Sequence, residues 1–175
     1  WGLAFVAQSV GADHVGAFTF NGLRSLIGAV FLIPCVAFFD RLAGRPFSIW
    51  GTDNKTEQQD LITGGIVCGI VLTIASTLQQ IGIVHTTVGK AGFITTLYIV
   101  IVPLLGIFVR RIPGVKVWCS VVVALIGMYL LCISGSVRIG LGDALVIGCA
   151  LVFSIHILVV DYFAEQVDGV KLSCL

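Results

Sequence analysis

The chain has 175 residues, of which 58% are hydrophobic and only 11% are charged, and its mean hydropathy is +1.09. A soluble domain carries about 25% charged residues to cover its surface, so this composition excludes a soluble globular protein and indicates one solvated by lipid. The net charge of +1, with Lys and Arg scattered along the chain, excludes a basic face for nucleic acid.

Five apolar stretches approach the ~20 residues that a helix needs to cross the hydrocarbon core of a bilayer. They run from Ala17 to Phe39, Leu61 to Val84, Ala91 to Val109, Val117 to Ser134 and Leu141 to Val160. Trp1 to Val10 is shorter, and we interpret it as the second half of a helix whose beginning is missing. Because strands of a membrane barrel alternate in polarity, the continuous apolar runs predict an all-α integral membrane protein, a polytopic helical bundle.

The distribution of Lys and Arg between alternate connections predicts the orientation. One side holds seven of them, namely Arg41, Arg45, Lys55, Arg110, Arg111, Lys116 and Lys171, and the other side holds Lys90 and Arg138. Loops 40–60 and 110–116 are therefore expected to be cytoplasmic.

Arg24 is a charged residue in the middle third of the second apolar stretch. It shares a helix face with Asn21, Ser25 and Gly28, which predicts that this face looks into the bundle. A functional interpretation makes Arg24 an anchor for an anionic group or a member of a gating ion pair. A structural one has it reaching the outer headgroups, paired with Asp13, or bonding helix carbonyls.

The junction between the third and fourth stretches is too short for an ordinary loop. Gln79 and Gln80 precede it, and His85, Gly89 and Lys90 lie within it as candidates for a helix break. A broken helix inside a membrane is tolerated where it is buried in protein or lines a water-filled cavity, so the break is a candidate for part of a solute path. The alternative is a tight outer turn with His85 and Lys90 solvated.

Further polar residues stand inside apolar runs. Tyr98 follows the break, Gln8 lies in the first stretch, and His156 lies deep in the last, where it either serves a solute or proton path or is a packing residue. The segment around Gln8 echoes the segment around His156, as internal repeats of transporters do. Pro103 predicts a kink midway along the fourth spanning helix.

Helix packing in lipid relies on small residues, because lipid gives apolar helices no hydrophobic reason to associate. Gly65-x-x-x-Gly69 and Ala144-x-x-x-Gly148 fit that need. Five of the six cysteines sit inside apolar runs without metal-ligand spacing and are interpreted as packing residues. No motif of hydrolases, zinc proteases or ATPases is present, so neither an enzyme, a metal nor a cofactor is predicted.

Several short motifs occur in a characteristic order. They are Trp1-Gly2 with Phe5-Val6-Ala7, then Phe18, Phe20 and Arg24, then His85 to Ile94, Pro103-Leu104, Gly127 to Leu130, and Gly140-x-Gly-Asp143. With this order the chain resembles the EamA family of the drug/metabolite transporter superfamily along essentially its whole length. The resemblance implies a fragment of a ten-helix transporter with two five-helix repeats of inverted topology. Residues 1–138 would be the first repeat, truncated at its N-terminus, and residues 139–175 helix six and the beginning of a loop.

The resemblance also implies a function. We expect a secondary carrier, an exporter, for a small metabolite or drug-like solute, working by alternating access in the plasma membrane of a bacterial cell. The expected partners are the lipid bilayer and the solute, with a coupling proton or ion and a homodimer as further candidates. Gln8, Asn21, Arg24, Gln79, Gln80, Tyr98 and His156 are the candidates for the lining of its cavity. The alternatives are a membrane scaffold or assembly protein that transports nothing and, more remotely, a membrane-embedded metal enzyme.

Overall fold

A computed structural model describes residues 2–44, 47–48, 55–108, 114–132 and 140–175. These residues form eight helices, which are α1 (Gly2–His14), α2 (Ala17–Leu42), α3 (Lys55–Val84), α4 (Val88–Thr96), α5 (Tyr98–Phe108), α6 (Val115–Cys132), α7 (Leu141–Ala164) and α8 (Gly169–Cys174). No strand occurs in the described ranges, and the predicted all-α bundle is confirmed. Of the charges used to predict orientation, Arg45, Arg110, Arg111 and Arg138 lie outside them.

Four helical segments of the described residues are long and apolar enough to cross a membrane. They are Phe18–Leu42, Lys55–Val84, Val88–Ile107 and Leu141–Ala164, and the third combines α4 with most of α5. The remaining predicted span corresponds to α6, in which Val115–Gly127 is apolar but shorter. α1 has 13 residues and is too short to span, as the sequence predicted. The chain is a multi-pass integral membrane protein.

The centre of the bundle is the antiparallel pair α3 and α7, which make the most extensive contact between any two helices. The end of α3 meets the start of α7 at Gly82 and Gly142, and the start of α3 meets the end of α7 at Gly64 and Phe163. An apolar cluster lies at each end of the pair. One contains Phe5, Ile83, Ala91 and Val146; the other contains Leu61, Cys68, Val167 and Leu172.

The fourth predicted span is interrupted at Leu97, before the proline at which a kink is predicted. Thr96 ends α4, and its hydroxyl donates to the carbonyls of Gly92 and Phe93 while the Leu97 N–H bonds to Ile94 O at 3.1 Å. These bonds close a tight turn, after which α5 begins. Pro103 lies inside α5.

The segment after α7, expected to be the beginning of a loop, contains the short helix α8. Asp168 caps it, because its carboxylate accepts from the N–H groups of Val170, at 2.9 Å, and Lys171, at 3.4 Å. The cap turns the chain back so that α8 packs against α2 and α3.

Much of the remaining surface is apolar. In the most apolar part of α2 only 6% of residues are buried, and Ile27 and Phe31 are 69% and 73% exposed. Lipid tails solvate such a surface, so its exposure carries no cost in a membrane.

Candidate functional site

A stripe of polar residues on α3 faces the interior of the bundle. Ser76, Gln79 and Gln80 are 5%, 3% and 0% exposed, and their spacing places them on one side of the helix. Burial of amides and a hydroxyl among apolar helices requires hydrogen-bond partners, since each unsatisfied polar group costs about 1–3 kcal/mol. The partners come from three other helices.

Gln80 connects α3 to α1. Its Nε2 donates to the backbone carbonyl of Gln8 at 3.0 Å, and the Gln8 side chain is itself 6% exposed. The other amide atom, Gln80 Oε1, is buried and has no hydrogen-bond partner in the described part of the chain. Gln8 and Gln80, both predicted to line the cavity, are therefore in direct contact, and Gln80 retains a free hydrogen-bond acceptor.

Arg24 connects α2 to the same stripe. One of its terminal nitrogens, Nη2, lies 3.4 Å from Ser76 Oγ, one turn before Gln80. Asn21, one turn before Arg24 on α2, has both amide atoms buried without a partner among the described residues. The predicted pairing of Arg24 with Asp13 involves a side chain outside the described part. We call Gln8, Asn21, Arg24, Ser76 and Gln80 the polar cluster.

Gln79 joins α3 to α4 instead. Its Nε2 donates to Thr95 Oγ1 at 3.4 Å, and Thr95 is 4% exposed. Tyr98, the first residue of α5, lies just beyond the turn at Leu97 and is half-buried. This bond holds α4 against α3 immediately before the interruption.

His156 lies apart from the polar cluster. Its imidazole faces the backbone of Cys68 on α3 and stacks edge-on against Phe153, with ring centroids 6.2 Å apart. Cys68 is about 12 Å along α3 from Ser76, at 1.5 Å per residue. The buried Nδ1 of His156 has no hydrogen-bond partner in the described residues. In the described part, no hydrogen bond joins His156 or Tyr98 to the other candidates.

The break between α3 and α4 borders a cavity of about 390 Å³. Its lining residues are Val84, His85, Thr86, Thr87, Lys90, Gly140 and Asp143. Of the three candidates for a helix break, only His85 lies in the turn. Gly89 and Lys90 belong to the first turn of α4, because the Thr87 side chain accepts from the Lys90 N–H and starts that helix.

Asp143 is a buried acidic residue that lines this cavity, and it was not among the predicted site residues. It accepts from the Thr86 hydroxyl and from the Gly140 N–H, at 3.0 Å, and its Oδ2 is 3.6 Å from Lys90 Nζ. The side chain of Asp143 is 7% exposed and that of Lys90 32%. The available signal was an acidic residue in the first turn of a helix, a position that the helix dipole favours.

A second ion pair lies at the opposite end of the bundle. Lys171 Nζ on α8 is 3.0 Å from Asp40 Oδ1 on α2, and the two side chains are 5% and 4% exposed. The other carboxylate oxygen of Asp40 accepts from the Ser48 N–H at 3.2 Å. The end at Asp40 and the end at Asp143 are thus each connected to the helices after residue 139 by an ion pair.

The described residues contain no group of three or more His, Cys, Asp or Glu side chains placed to hold a metal ion. Among the described residues, buried side-chain atoms without a hydrogen-bond partner occur on two amides and an imidazole, and the Arg24 guanidinium bonds to Ser76. Such groups bind polar organic molecules through hydrogen bonds and charge.

Comparison with known proteins places the chain in a family. A model of the EamA-like transporter family matches residues 1–133, and an "Uncharacterized transporter" of Archaeoglobus fulgidus is 28% identical over 174 residues. That alignment covers 99% of this chain and 49% of the relative, so the chain spans about half the length of the curated relative it matches. No solved structure matches. Because the family match covers well over half of the chain and the helices are those of a multi-pass membrane protein, the chain belongs to the EamA-like transporter family.

Proposed function

We propose that the complete protein is a secondary carrier that exports a small metabolite or drug-like solute across the plasma membrane by alternating access. The observation that carries the proposal is the polar cluster between α1, α2 and α3, which holds partnerless polar atoms inside a bundle of apolar helices. Membership of a transporter family favours this function over an enzymatic one.

The energetics of the polar cluster support a binding site. A charged side chain at the centre of a span costs at least ~2.5 kcal/mol, and Arg24, in the first third of α2, bears part of this cost unless the guanidinium faces protein or water. The unsatisfied amide atoms of Asn21 and Gln80 add about 1–3 kcal/mol each. A polar solute that bonds to these groups removes these costs, which makes a solute-filled state favourable.

The position of the cavity at the α3–α4 break supports a path to the cluster. Val84, which lines the cavity, is one turn from Gln80, about 6 Å along the helix axis. The break gives the solute an entry where backbone irregularity is tolerated, since non-helical backbone in a membrane lines a cavity or is buried in protein. In alternating access this end and the opposite end open in turn.

The test is solute flux in proteoliposomes that contain the full-length protein, screened with a panel of radiolabelled metabolites. For the solute that gives protein-dependent flux, Asn21→Leu and Gln80→Leu are expected to lower the flux at least about tenfold, because each removes partnerless amide atoms of the cluster. Thr73→Val is the matched control. Thr73 lies on α3 too, but it is exposed and bonds only its own helix, at Gly69 O. Equal flux in all variants would remove the cluster from the transport site.

The same vesicles test direction and coupling. An exporter driven by protons fills inside-out vesicles against a gradient, and a protonophore abolishes this accumulation. If no solute in the panel gives flux or raises the melting temperature, while the purified protein assembles with itself or with another membrane protein, the function is that of a scaffold and the proposed transport is wrong.

A further inference from the structure

Arg24 has no acidic partner within the described residues. Its hydrogen bond there is to the neutral Ser76 hydroxyl. Two acidic side chains of the described part form ion pairs with other residues: Asp40 pairs with Lys171, and Asp143 pairs with Lys90. The guanidinium is thus a positive charge inside the membrane-spanning region without a counter-ion in the described part of the chain.

Part of the Arg24 side chain is not enclosed by the described helices. The residue is exposed on the surface of the described helices while Nη2 reaches Ser76 on α3. A guanidinium at this depth does not face lipid tails, because charged side chains inside membranes turn to protein or to water-filled cavities. Its remaining N–H donors are therefore expected to meet protein, water or a polar ligand and not lipid tails.

The neighbours of Arg24 supply further unused groups, all of them neutral. Asn21 has a free amide donor and a free carbonyl acceptor, both buried, and the fully buried Gln80 has a free carbonyl acceptor. The unused set is one cation with several donors, one amide donor and two amide acceptors. A ligand that satisfies these groups has to supply an anion for the guanidinium and the amide donor. Close to that anion it also has to supply a hydrogen-bond donor for the amide acceptors.

We propose that the polar cluster binds the carboxylate of a small organic acid, with Arg24 and the Asn21 amide nitrogen donating to the carboxylate and Gln80 Oε1 accepting from a donor group of the same molecule. The proposal rests on the function proposed above and names the chemical class of the solute. A carboxylate matches the planar fork of the guanidinium and carries the single negative charge that one arginine neutralises. A phosphate monoester at neutral pH carries between one and two negative charges, which exceeds what Arg24 and neutral amides offset.

The test measures binding apart from transport, through the thermal unfolding of the full-length protein in detergent. A ligand that binds only the folded state raises the melting temperature with its concentration. The probes are butyrate, butyramide, butylammonium and inorganic phosphate at equal ionic strength. Butyrate is expected to raise the melting temperature in a saturable way, whereas butyramide, butylammonium and phosphate produce no saturable shift.

Variants of Arg24 test whether this residue binds the carboxylate. Arg24→Gln is expected to weaken the response to butyrate at least about tenfold, and Arg24→Lys to retain part of it, because a lysine keeps the charge without the fork. Arg41→Gln is the matched control, since Arg41 is an exposed arginine in the last turn of the same helix. An unchanged response in Arg24→Gln overturns the proposal.

Asn21→Asp provides a second test that keeps Arg24 in place. It sets a carboxylate beside the guanidinium, so the protein supplies its own counter-ion and butyrate is expected to lose its effect without loss of folded protein. If butyrate stabilises Asn21→Asp as well as the unmodified protein, the proposal is wrong.

The two proposals fail in distinguishable ways. Flux of a neutral or cationic solute without any response to butyrate overturns the carboxylate site and leaves the carrier function intact. A response to butyrate that depends on Arg24, without flux of any solute in the panel, supports the site and overturns the carrier.

Discussion

Asp40 and Lys171 form an ion pair in which both side chains are almost completely buried, at 4% and 5% exposure. Burial makes such a pair costly to break, because removing one charge leaves the other without compensation. We expect Asp40→Asn to lower the free energy of unfolding by about 3–5 kcal/mol, since the Lys171 ammonium then lacks its carboxylate. Thermal unfolding of the full-length protein in detergent measures the change.

Two further variants separate the lost charge from a local defect. The double variant Asp40→Asn/Lys171→Met removes both charges and should be more stable than Asp40→Asn alone. Lys116→Met, at an exposed lysine on α6, should leave stability within about 0.5 kcal/mol, as surface substitutions usually do. Equal destabilisation in the single and double Asp40 variants would show that the charge is not the cause.

The sequence distinguished some of the polar residues and not others, for a physical reason. Arg24, Gln79 and Gln80 stand out because they interrupt apolar runs, where a polar group always needs an explanation. Asp143 lies at the start of an apolar run and Lys171 in the more polar segment after the last one, where a charge is ordinary and gives no sign of its burial. Their partners are distant in the chain, so only the packing of α7 and α8 reveals the two ion pairs.

At the scale of the elements, the crossing of α3 and α7 depends on Gly142, which the sequence marks as part of a family motif and not as a packing residue. A Cβ at Gly142 would lie 2.6 Å from the carbonyl carbon of His85 and 2.8 Å from the carbonyl oxygen of Gly82. Both atoms belong to the backbone, which cannot rotate away as a side chain can. Gly142→Ala is therefore expected to cost about 1–3 kcal/mol of unfolding free energy through overpacking.

Gly69→Ala is the control for this prediction. A Cβ at Gly69 has no atom of the described structure within 4 Å, and alanine has a higher helix propensity than glycine, so this variant should be neutral or slightly stabilising. Melting temperatures of the two variants in the same detergent provide the comparison. If Gly142→Ala melts at the same temperature as Gly69→Ala, the close approach of α3 and α7 is not as the structure shows it.

The helices illustrate what an apolar run reveals and what it does not. The lengths of the runs predicted the spanning segments in α2, α3 and α7 well, because spanning the hydrocarbon core fixes a minimum length. The turn at Leu97 was missed, since it depends on hydroxyl bonds of Thr96 and not on the visible proline. The motif of small residues at Gly65 and Gly69 predicted helix packing without naming a partner helix. It therefore did not indicate that α3 and α7 approach most closely at Gly82 and Gly142.

At the scale of the whole molecule, α7 holds together parts of the chain that the resemblance assigns to different repeats. Near its first turn, Asp143 pairs with Lys90 of α4, and beyond its other end α8 pairs with α2 through Lys171. If the repeats move against each other during transport, each ion pair has to break in one of the two open states. The buried pair at Asp40 then presents the larger barrier, since the other is partly exposed and such pairs contribute little.

The orientation predicted from the charged connections is a property of the whole molecule that two exposed glycines can test. Gly114 precedes α6 on the predicted cytoplasmic side, and Gly140 precedes α7 on the other side, beside the cavity. Neither would bring an added Cβ within 4 Å of a described atom, so cysteine is expected to be tolerated at both. In a background without the native cysteines, a membrane-impermeant maleimide added to intact cells should label Gly140→Cys strongly. It should label Gly114→Cys only after the membrane is permeabilised, because the excess of Lys and Arg retains that side in the cytoplasm.

Labelling of Gly114→Cys in intact cells with protection of Gly140→Cys would invert the orientation and move the cavity at the α3–α4 break to the cytoplasmic face. Labelling of both in intact cells would contradict a membrane-spanning α6, since the connections before and after that helix would then lie on one side.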